Sequence, residues 1–268
     1  MTLFRNRFGA GKIIIGVCHL PPLPDYPESP GIEAICRHAR DDMVAMKQAG
    51  LHGILLENEG DKPHKVKAGA TTIDAMTAVS KSTIAHAAGF AVGAEILLND
   101  PLASLEVAAR SGAGFIRTDY FVDRMSRPVY GEFEIFPEKI LQHRKTLGAT
   151  DILILADIQV KYATMLQPRP LRESAVEAAL RGADAVVVSG DATGDAPLIE
   201  HLQAARAGIQ AAGCDIPVLI GSGLSPANAA MLLAECDGAI VGSSLMQAGK
   251  VDSRFAHDLM QAVRDERQ

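Results

Sequence analysis

The chain has 268 residues, a formal net charge of −6 and a hydrophobic content of 48%. The negative charge argues against a general nucleic-acid binder, and the absence of any run of about 18 apolar residues argues against a transmembrane helix. With no tryptophan and only 4% aromatic residues, the core must be built from aliphatic side chains.

The amino terminus and the cysteines carry no targeting or disulfide signal. Basic residues precede the apolar segment 13–17, which is too short for the core of a signal peptide. The four cysteines form no CxxC pair, so the sequence predicts neither a zinc site nor a disulfide framework. We therefore expect a cytoplasmic protein without a metal or a cofactor.

Short apolar segments alternate with helical segments along the whole chain. The first strand is predicted at residues 12–18 and ends in a proline-rich loop, because proline stops a strand. A helix follows at 31–49 and closes on Gly50, which suits a C′ position. The other strands are predicted at 53–58, 91–98, 114–119, 152–160, 183–189, 216–220 and 237–241.

Further helices are predicted at 71–88, 102–110, 137–147, 171–181, 197–212 and 251–264. Asp100 and Pro101 suit the N-cap and N1 positions of the helix at 102–110. The segment 120–132 has no clear periodicity and is predicted as a long loop.

Eight strand–helix units with no linker between them predict a parallel sheet. An open doubly wound sheet would carry GxGxxG after its first strand, and no such motif follows residue 18. We therefore predict an α/β fold, a single (β/α)₈ barrel domain over residues 1–268.

Two glycine turns, each at the end of a strand, are the clearest binding signal. Glycine allows the backbone to approach a ligand closely, and free N–H groups at a helix start favour an anion. Ser225 and Pro226 suit the start of the helix between the turns. Barrels bind phosphate after strands seven and eight, although ordinary turns are the alternative. The turn residues are Gly221, Ser222 and Gly223, then Gly242, Ser243 and Ser244.

The motif HLPPLP after the first strand resembles that of the BtpA family. Later segments are also similar to that family: GILLEN, AVGAEILLND, FIRTDYF, ILADIQVKYA, VSGDATG, LIGSGLSPAN and GSSL. The resemblance implies a phosphate-binding TIM barrel, broadly similar to phosphoribosylanthranilate isomerase. One branch of the family is linked to photosystem I biogenesis or stabilisation and the other to sugar-related operons. The resemblance implies no defined reaction.

Polar residues follow several predicted strands, where barrels place their reactive groups. Period-two alternation puts Asp157, Gln159 and Lys161 on one face of strand five. A structural ion-pair network at the mouth, such as Arg117 with Glu95, is the alternative. The candidates for substrate binding beside the glycine turns are Arg117, Asp119, Glu95, Asn99 and Gln159.

Asp157, Glu57 and His19 are the candidates for acid–base catalysis. Burial raises the pKa of a strand-end carboxyl, which would suit Asp157 to this role. His19 belongs to the HLPPLP motif, and its alternative role is a hydrogen bond that anchors the proline loop. Cys18 ends strand one, but a buried cysteine is usually a packing residue.

Lys161 is a further catalytic candidate, because a lysine in an apolar pocket can form a Schiff base. An exposed, anion-pairing lysine is the alternative at this position. The strand-end carboxylates could instead hold Mg²⁺, which prefers oxygen ligands, although no local motif fixes a ligand set.

Two functions remain open from the sequence. The first is an enzyme that acts on a small phosphorylated, sugar-like compound by isomerase or lyase chemistry. The second is a non-catalytic factor for photosystem I biogenesis or for the stabilisation of a protein complex. Pairing of barrels through their outer helices to form a homo-oligomer is a further expectation.

Overall fold

A computed structural model describes residues 2–265 of the chain. Eight parallel strands, β1–β8, form a closed barrel in which each strand pairs with its neighbours in chain order, and β8 pairs with β1. The strands are Ile13–His19, Gly53–Glu57, Ala91–Glu95, Phe115–Thr118, Leu153–Ile158, Ala185–Val188, Val218–Ile220 and Gly238–Val241. The predicted (β/α)₈ barrel is therefore confirmed.

A helix follows each strand and covers the outside of the barrel. In chain order the helices α1–α8 are Ile32–Ala49, Ala70–Ala87, Pro101–Ser111, Pro137–Thr146, Leu171–Leu180, Ile199–Ala211, Ala229–Leu233 and Ser253–Asp265. The side chain of Asp100 accepts a hydrogen bond from the backbone N–H of Ala103, with Pro101 at N1, as predicted for α3. None of the helices in this part of the chain is long and apolar enough to cross a bilayer.

Most predicted boundaries shift by one to three residues, and two shifts have a clear local cause. The strand β5 ends at Ile158 because Gln159 has a φ of +47°. The helix α7 begins at Ala229 and not at Pro226, because the side chain of Asn228 accepts the N–H of Ser225 at 2.8 Å and stabilises a turn.

A short helix at Leu3–Phe8, which periodicity did not predict, closes the amino-terminal end of the barrel. Its two phenylalanines, Phe4 and Phe8, are buried, and the Phe8 ring lies 5.5 Å from that of Phe115. They extend the aliphatic core inside the barrel. Among the described residues, apolar side chains therefore fill this end of the barrel, and a cavity opens at the carboxyl ends of the strands.

The segment 120–132, predicted as a loop, contributes to a three-stranded antiparallel sheet. Its strands are Met125–Arg127, Gly131–Glu132 and Thr164–Met165. Tyr120 stacks on Phe133 with ring centroids 3.9 Å apart, inside a separate apolar cluster. The sheet therefore forms an ordered cover beside the mouth of the barrel, which we call the cover sheet.

Candidate functional site

A cavity of about 520 Å³ opens at the carboxyl ends of the barrel strands. Most of the predicted site residues line it, as expected for this fold. The predicted residues that line the cavity are His19, Glu57, Glu95, Arg117, Asp119, Lys161, Gly221, Ser222, Gly223, Gly242, Ser243 and Ser244.

The register of the first three strands explains one wall of the cavity. His19 lies opposite Glu57 in the pairing of β1 with β2, and Glu57 lies opposite Glu95 in the pairing of β2 with β3. Because side chains alternate along a strand, Cys18 faces the outer helices and does not line the cavity. The imidazole Nε2 of His19 lies 3.8 Å from a carboxylate oxygen of Glu57.

His19 does not anchor the proline loop in the structure. The side chain of Asp61 accepts the N–H of Leu23 at 2.8 Å, and the N–H of Leu20 donates to the backbone carbonyl of Glu57 at 2.9 Å. These two contacts hold the loop and leave the side chain of His19, which is 31% exposed, in the cavity wall.

Arg117 occupies the centre of the site and is buried. Its Nε and Nη2 donate to the two carboxylate oxygens of Asp157 at 2.8 and 2.9 Å, a bidentate pair. Its Nη1 lies 3.7 Å from a carboxylate oxygen of Glu57. The alternative of an ion-pair network at the mouth took Arg117 with Glu95 as its example, but the hydrogen-bonded partner of Arg117 in the structure is Asp157.

Asp157 does not line the cavity, although it was the first candidate for acid–base catalysis. Its side chain is fully buried, both carboxylate oxygens bond Arg117, and the hydroxyl of Ser189 donates to one of them at 3.3 Å. The geometry makes Asp157 a residue that orients the guanidinium of Arg117.

Two other carboxyl groups at the mouth have raised pKa values. Burial, together with repulsion from Glu57 and Asp119, raises the pKa of Glu95 well above its usual range. Burial and repulsion from Asp157 raise the pKa of Asp119 to about 7, against the opposing charges of Arg117 and Lys161. A carboxyl that titrates near neutral pH is suited to acid–base catalysis.

The raised pKa of Asp119 predicts a pH-dependent stability. The folded protein holds this proton more tightly than the unfolded chain, whose Asp has an ordinary pKa of 3.8. Binding of this proton therefore stabilises the folded protein relative to the unfolded chain. This stabilisation is complete below pH 3.8 and is lost as the pH rises through about 7. At pH 8 we expect Asp119→Asn to be about 1–2 kcal/mol more stable than the wild type, allowing for screening by water in the cavity.

Urea unfolding at pH 4 and at pH 8 measures this difference, which should disappear at the lower pH. Asp151→Asn is the matched control, because Asp151 is exposed at the opposite end of the barrel. A variant at position 119 that is less stable than the wild type at pH 8 would contradict the raised pKa.

The two predicted glycine turns follow the adjacent strands β7 and β8, and both line the cavity. Gly223 has a φ of +75°, and a Cβ there would lie 2.2 Å from the backbone nitrogen of Ala196, so only glycine fits. After Gly242 the chain forms a short 3₁₀ helix, Ser243–Leu245, whose first N–H groups have no acceptor within the helix. Both turns can therefore present backbone N–H groups to an anion.

Two of the serines in these turns hold neighbouring loops together. The hydroxyl of Ser222 donates to the backbone carbonyl of Asp195 at 2.7 Å and accepts the N–H of Gly190. The hydroxyl of Ser244 donates to the carbonyl of Leu224 at 2.7 Å. The hydroxyl groups of Ser222 and Ser244 therefore fix the positions of the two turns. Ser243 is the remaining serine, and its hydroxyl can contact a ligand.

The cover sheet and the loop after β6 supply cavity residues outside the set of predicted site residues. The guanidinium of Arg127 lies 5.8 Å from the ring centre of Tyr130 and 5.6 Å from that of Tyr162. The hydroxyl of Tyr162 accepts the N–H of Thr193 at 2.7 Å and so joins the two segments. Arg127, Tyr130, Tyr162 and Thr193 all line the cavity. The sequence carries two signals for them: Arg127 in the long loop 120–132, and the Gly- and Asp-rich composition of 190–196.

Two predicted substrate-binding residues point elsewhere. The side-chain carbonyl of Asn99 accepts the hydroxyl of Thr118 at 3.0 Å. The amide nitrogen of Gln159 donates to Ser174 Oγ at 3.0 Å and to the carbonyl of Arg169. The positive φ of Gln159 ends the alternation of β5, so the expectation that Asp157, Gln159 and Lys161 share one face is wrong.

The loop after β2 contributes one of its three lysines to the cavity. Lys62 lines the cavity and pairs with Glu59 at 2.7 Å. Lys65 instead pairs with Asp25 at 3.1 Å, and Lys67 lies beside the ring of Phe136. The basic charge of this loop is therefore mostly directed away from the cavity.

Comparison with solved structures finds the same fold in other proteins. N-(5′-phosphoribosyl)anthranilate isomerase from Pyrococcus furiosus gives a TM-score of 0.58 at 12% identity, covering 94% of this chain and 99% of that chain. Thiamine phosphate pyrophosphorylase from the same organism gives 0.56 at 17% identity, covering 98% of each chain. At these identities the likeness shows the fold alone.

Comparison of sequences identifies the family. An uncharacterized protein of Archaeoglobus fulgidus is 32% identical over 253 residues, covering 94% of this chain and 99% of the relative. The photosystem I biogenesis protein BtpA of Synechocystis is 33% identical over 255 residues, covering 94% of this chain and 86% of the relative. The model of the BtpA family matches residues 10–265, nearly the whole chain. The chain therefore belongs to the BtpA family.

Proposed function

We propose that the protein is an enzyme that acts on a small phosphorylated, sugar-like compound by acid–base isomerase or lyase chemistry. One observation carries the proposal: a single cavity is lined both by two glycine turns and by a cluster of carboxyl groups around a buried arginine. The first arrangement suits a phosphate group, and the second suits proton transfer at a carbon next to a carbonyl or imine.

The phosphate group would lie between Gly223 and Ser243. Both residues line the cavity and belong to turns that follow adjacent strands of the barrel, β7 and β8. The N–H groups of such turns bind an anion without a side-chain charge. A phosphate held there would direct the rest of the compound across the barrel towards Arg117.

The reacting atoms would then lie among Asp119, Glu95 and Arg117. An Asp119 that titrates near neutral pH can remove a proton from carbon and return it to a neighbouring atom. The raised pKa of Glu95 keeps its proton available for donation to a developing oxyanion. The positive charge of Arg117 stabilises the same oxyanion.

His19, Glu57 and Lys161 would complete the site. Glu57 lies between His19 and Arg117, within 3.8 Å of both, and can relay a proton between cavity and imidazole. Lys161 is close enough to Asp119 for its charge to oppose the rise of that pKa. We assign to Lys161 the polarisation of a substrate carbonyl, either as a cation or as a Schiff base.

The names of the structural neighbours support this choice of substrate class. Phosphoribosylanthranilate isomerase and thiamine phosphate pyrophosphorylase are both named for phosphorylated compounds. Their barrels cover almost the same length of chain as this one. The name of the Synechocystis relative supports the alternative, a non-catalytic role in photosystem I biogenesis, which requires no ligand in the cavity.

Gly242→Asp tests the proposed phosphate site without disturbing the fold. A Cβ at this position meets only ordinary contacts, the nearest at 3.6 Å from Val17 and 3.7 Å from His19. The carboxylate would stand in the cavity and repel a phosphate. In a thermal-shift screen of sugar phosphates, we expect a subset to raise the Tm of the wild type, and their affinity for the variant to fall at least about a hundredfold.

Thr150→Asp is the matched control, because it adds the same charge at an exposed position near the start of β5. Its affinity for the same sugar phosphates should equal that of the wild type. If no sugar phosphate stabilises the wild type, and the protein instead co-purifies with a stoichiometric membrane complex, the non-catalytic alternative is the better account.

A further inference from the structure

Three metal-binding side chains meet outside the barrel mouth, between β1 and α1. Cys18 comes from the outward face of β1, and His38 and Asp42 come from one face of α1, four residues apart. One ligand atom from each lies within 4.8 Å of the other two. None of the three lines the cavity of the candidate active site, and the proposed reaction uses none of them.

The cluster is enclosed and leaves polar atoms without partners. Cys18 is fully buried, and the side chains of His38 and Asp42 are 10% and 3% exposed. Among the described residues, His38 Nε2 and Asp42 Oδ2 are buried atoms with no hydrogen-bond partner. The other oxygen of Asp42 accepts the N–H of Val251 at 3.2 Å, which fixes the carboxylate beside the thiol of Cys18 and the imidazole of His38. Buried polar atoms of this kind are costly unless something binds them.

The spacing of the free atoms fits a shared metal ion. His38 Nε2 and Asp42 Oδ2 are 3.5 Å apart and do not hydrogen-bond. Two ligand atoms bound about 2.0–2.1 Å from a tetrahedral zinc ion are about 3.3–3.4 Å apart. The pair thus already has nearly the separation that two ligands of one ion would have.

We propose that Cys18, His38 and Asp42 bind one Zn²⁺ ion, with water at the fourth tetrahedral position. Thiolate, imidazole and carboxylate are the ligands that zinc takes in proteins, and the sulfur ligand disfavours Mg²⁺ and Ca²⁺. The bound ion would join β1 to α1 directly behind His19, and so would hold the strand that carries this cavity residue. The nearby positive charge of Lys250 opposes a cation, but this side chain is exposed and is screened by solvent.

Co²⁺ is the spectroscopic probe for the site, because a cobalt–thiolate bond gives a charge-transfer band in the near ultraviolet. We expect the full-length protein, freed of metal with a chelator, to bind one equivalent of Co²⁺ with this band and to lose the band when Zn²⁺ is added. Zn²⁺ should also raise the Tm. Cys18→Ser should abolish the band, and Asp42→Asn should weaken Co²⁺ binding at least about tenfold.

Two controls make the result specific. Cys236→Ser removes another buried thiol, 3.4 Å from two backbone carbonyl oxygens and far along the chain from the cluster, and should keep the full band. Glu95→Gln tests whether Co²⁺ binds among the carboxylates of the mouth, and should also keep it. Circular dichroism verifies that each variant is folded. Absence of a thiolate band in the wild type, or its survival in a folded Cys18→Ser, would overturn the proposal.

Discussion

Replacing Arg117 with methionine is expected to lower the free energy of unfolding by about 3–5 kcal/mol, the cost of leaving a buried charge without its partner. Asp157 would lose both of its charge-assisted hydrogen bonds, at 2.8 and 2.9 Å. Glu57, Glu95 and Asp119 would lose the positive charge that faces them. Urea unfolding at pH 7 measures the loss.

A double variant separates the lost charge from lost packing. In Arg117→Met combined with Asp157→Leu, the uncompensated carboxylate is gone, so we expect at least half of the lost stability to return. Arg110→Met is the matched control, because Arg110 pairs with Asp74 at the surface, where screening by solvent leaves such pairs little net effect on stability. A loss at Arg117 no larger than the loss at Arg110 would contradict the central role of this residue.

Gly223→Ala is expected to cost at least about 2 kcal/mol, because a left-handed backbone costs a residue with a Cβ about 1–2 kcal/mol and a steric clash adds to it. The new Cβ would lie 2.2–2.5 Å from backbone atoms of Asp195 and Ala196. The loop after β6 would have to move, and the Tyr162–Thr193 hydrogen bond would move with it.

Gly242→Ala provides the comparison within the same pair of turns. Gly242 has a φ of −114°, and its nearest contacts for a Cβ are at 3.6 Å or more. Its replacement should change stability by no more than about 0.5 kcal/mol. Chemical unfolding measures the free energy of unfolding that each variant loses. Equal losses for the two variants would contradict the claim that the turn at Gly223 requires a residue without a Cβ.

The barrel and the position of the glycine turns follow from local sequence patterns. Short apolar strands that alternate with helices have few arrangements open to them, and glycines directly after two strands fall at one end of any such arrangement. The cavity residues Glu57, Glu95 and Arg117 were predicted for the same reason, because each lies at the carboxyl end of a strand.

The pairing within the site could not be predicted, because it depends on distances between strands. Arg117 is two strands away in chain order from Glu57 and one from Asp157, and only the structure shows that it bonds Asp157 most closely. The prediction that the side chain of Gln159 faces the cavity was wrong for a different reason. The positive φ of this residue turns the side chain away, and no residue propensity predicts that angle.

Two features that the sequence did not predict, the cover sheet and the cluster around Cys18, depend on contacts between distant segments of the chain. The strand at Thr164–Met165 pairs with Met125–Arg127 across about 40 residues of chain, so neither short strand carries a pattern of its own. Cys18 and His38 meet across a proline loop without any motif spacing. A search for CxxC pairs therefore cannot find the zinc site that we propose, which is built from one strand and one helix.

A crystal structure of the protein grown with a sugar phosphate that raises its Tm tests the central claim most directly. We predict density for the phosphate group within hydrogen-bonding distance of the backbone N–H groups of Gly223 and Ser243, with the rest of the compound extending towards Arg117 and Asp119. A phosphate bound elsewhere, with this cavity holding only solvent, would contradict the proposal that the two glycine turns form the substrate-binding end of the site.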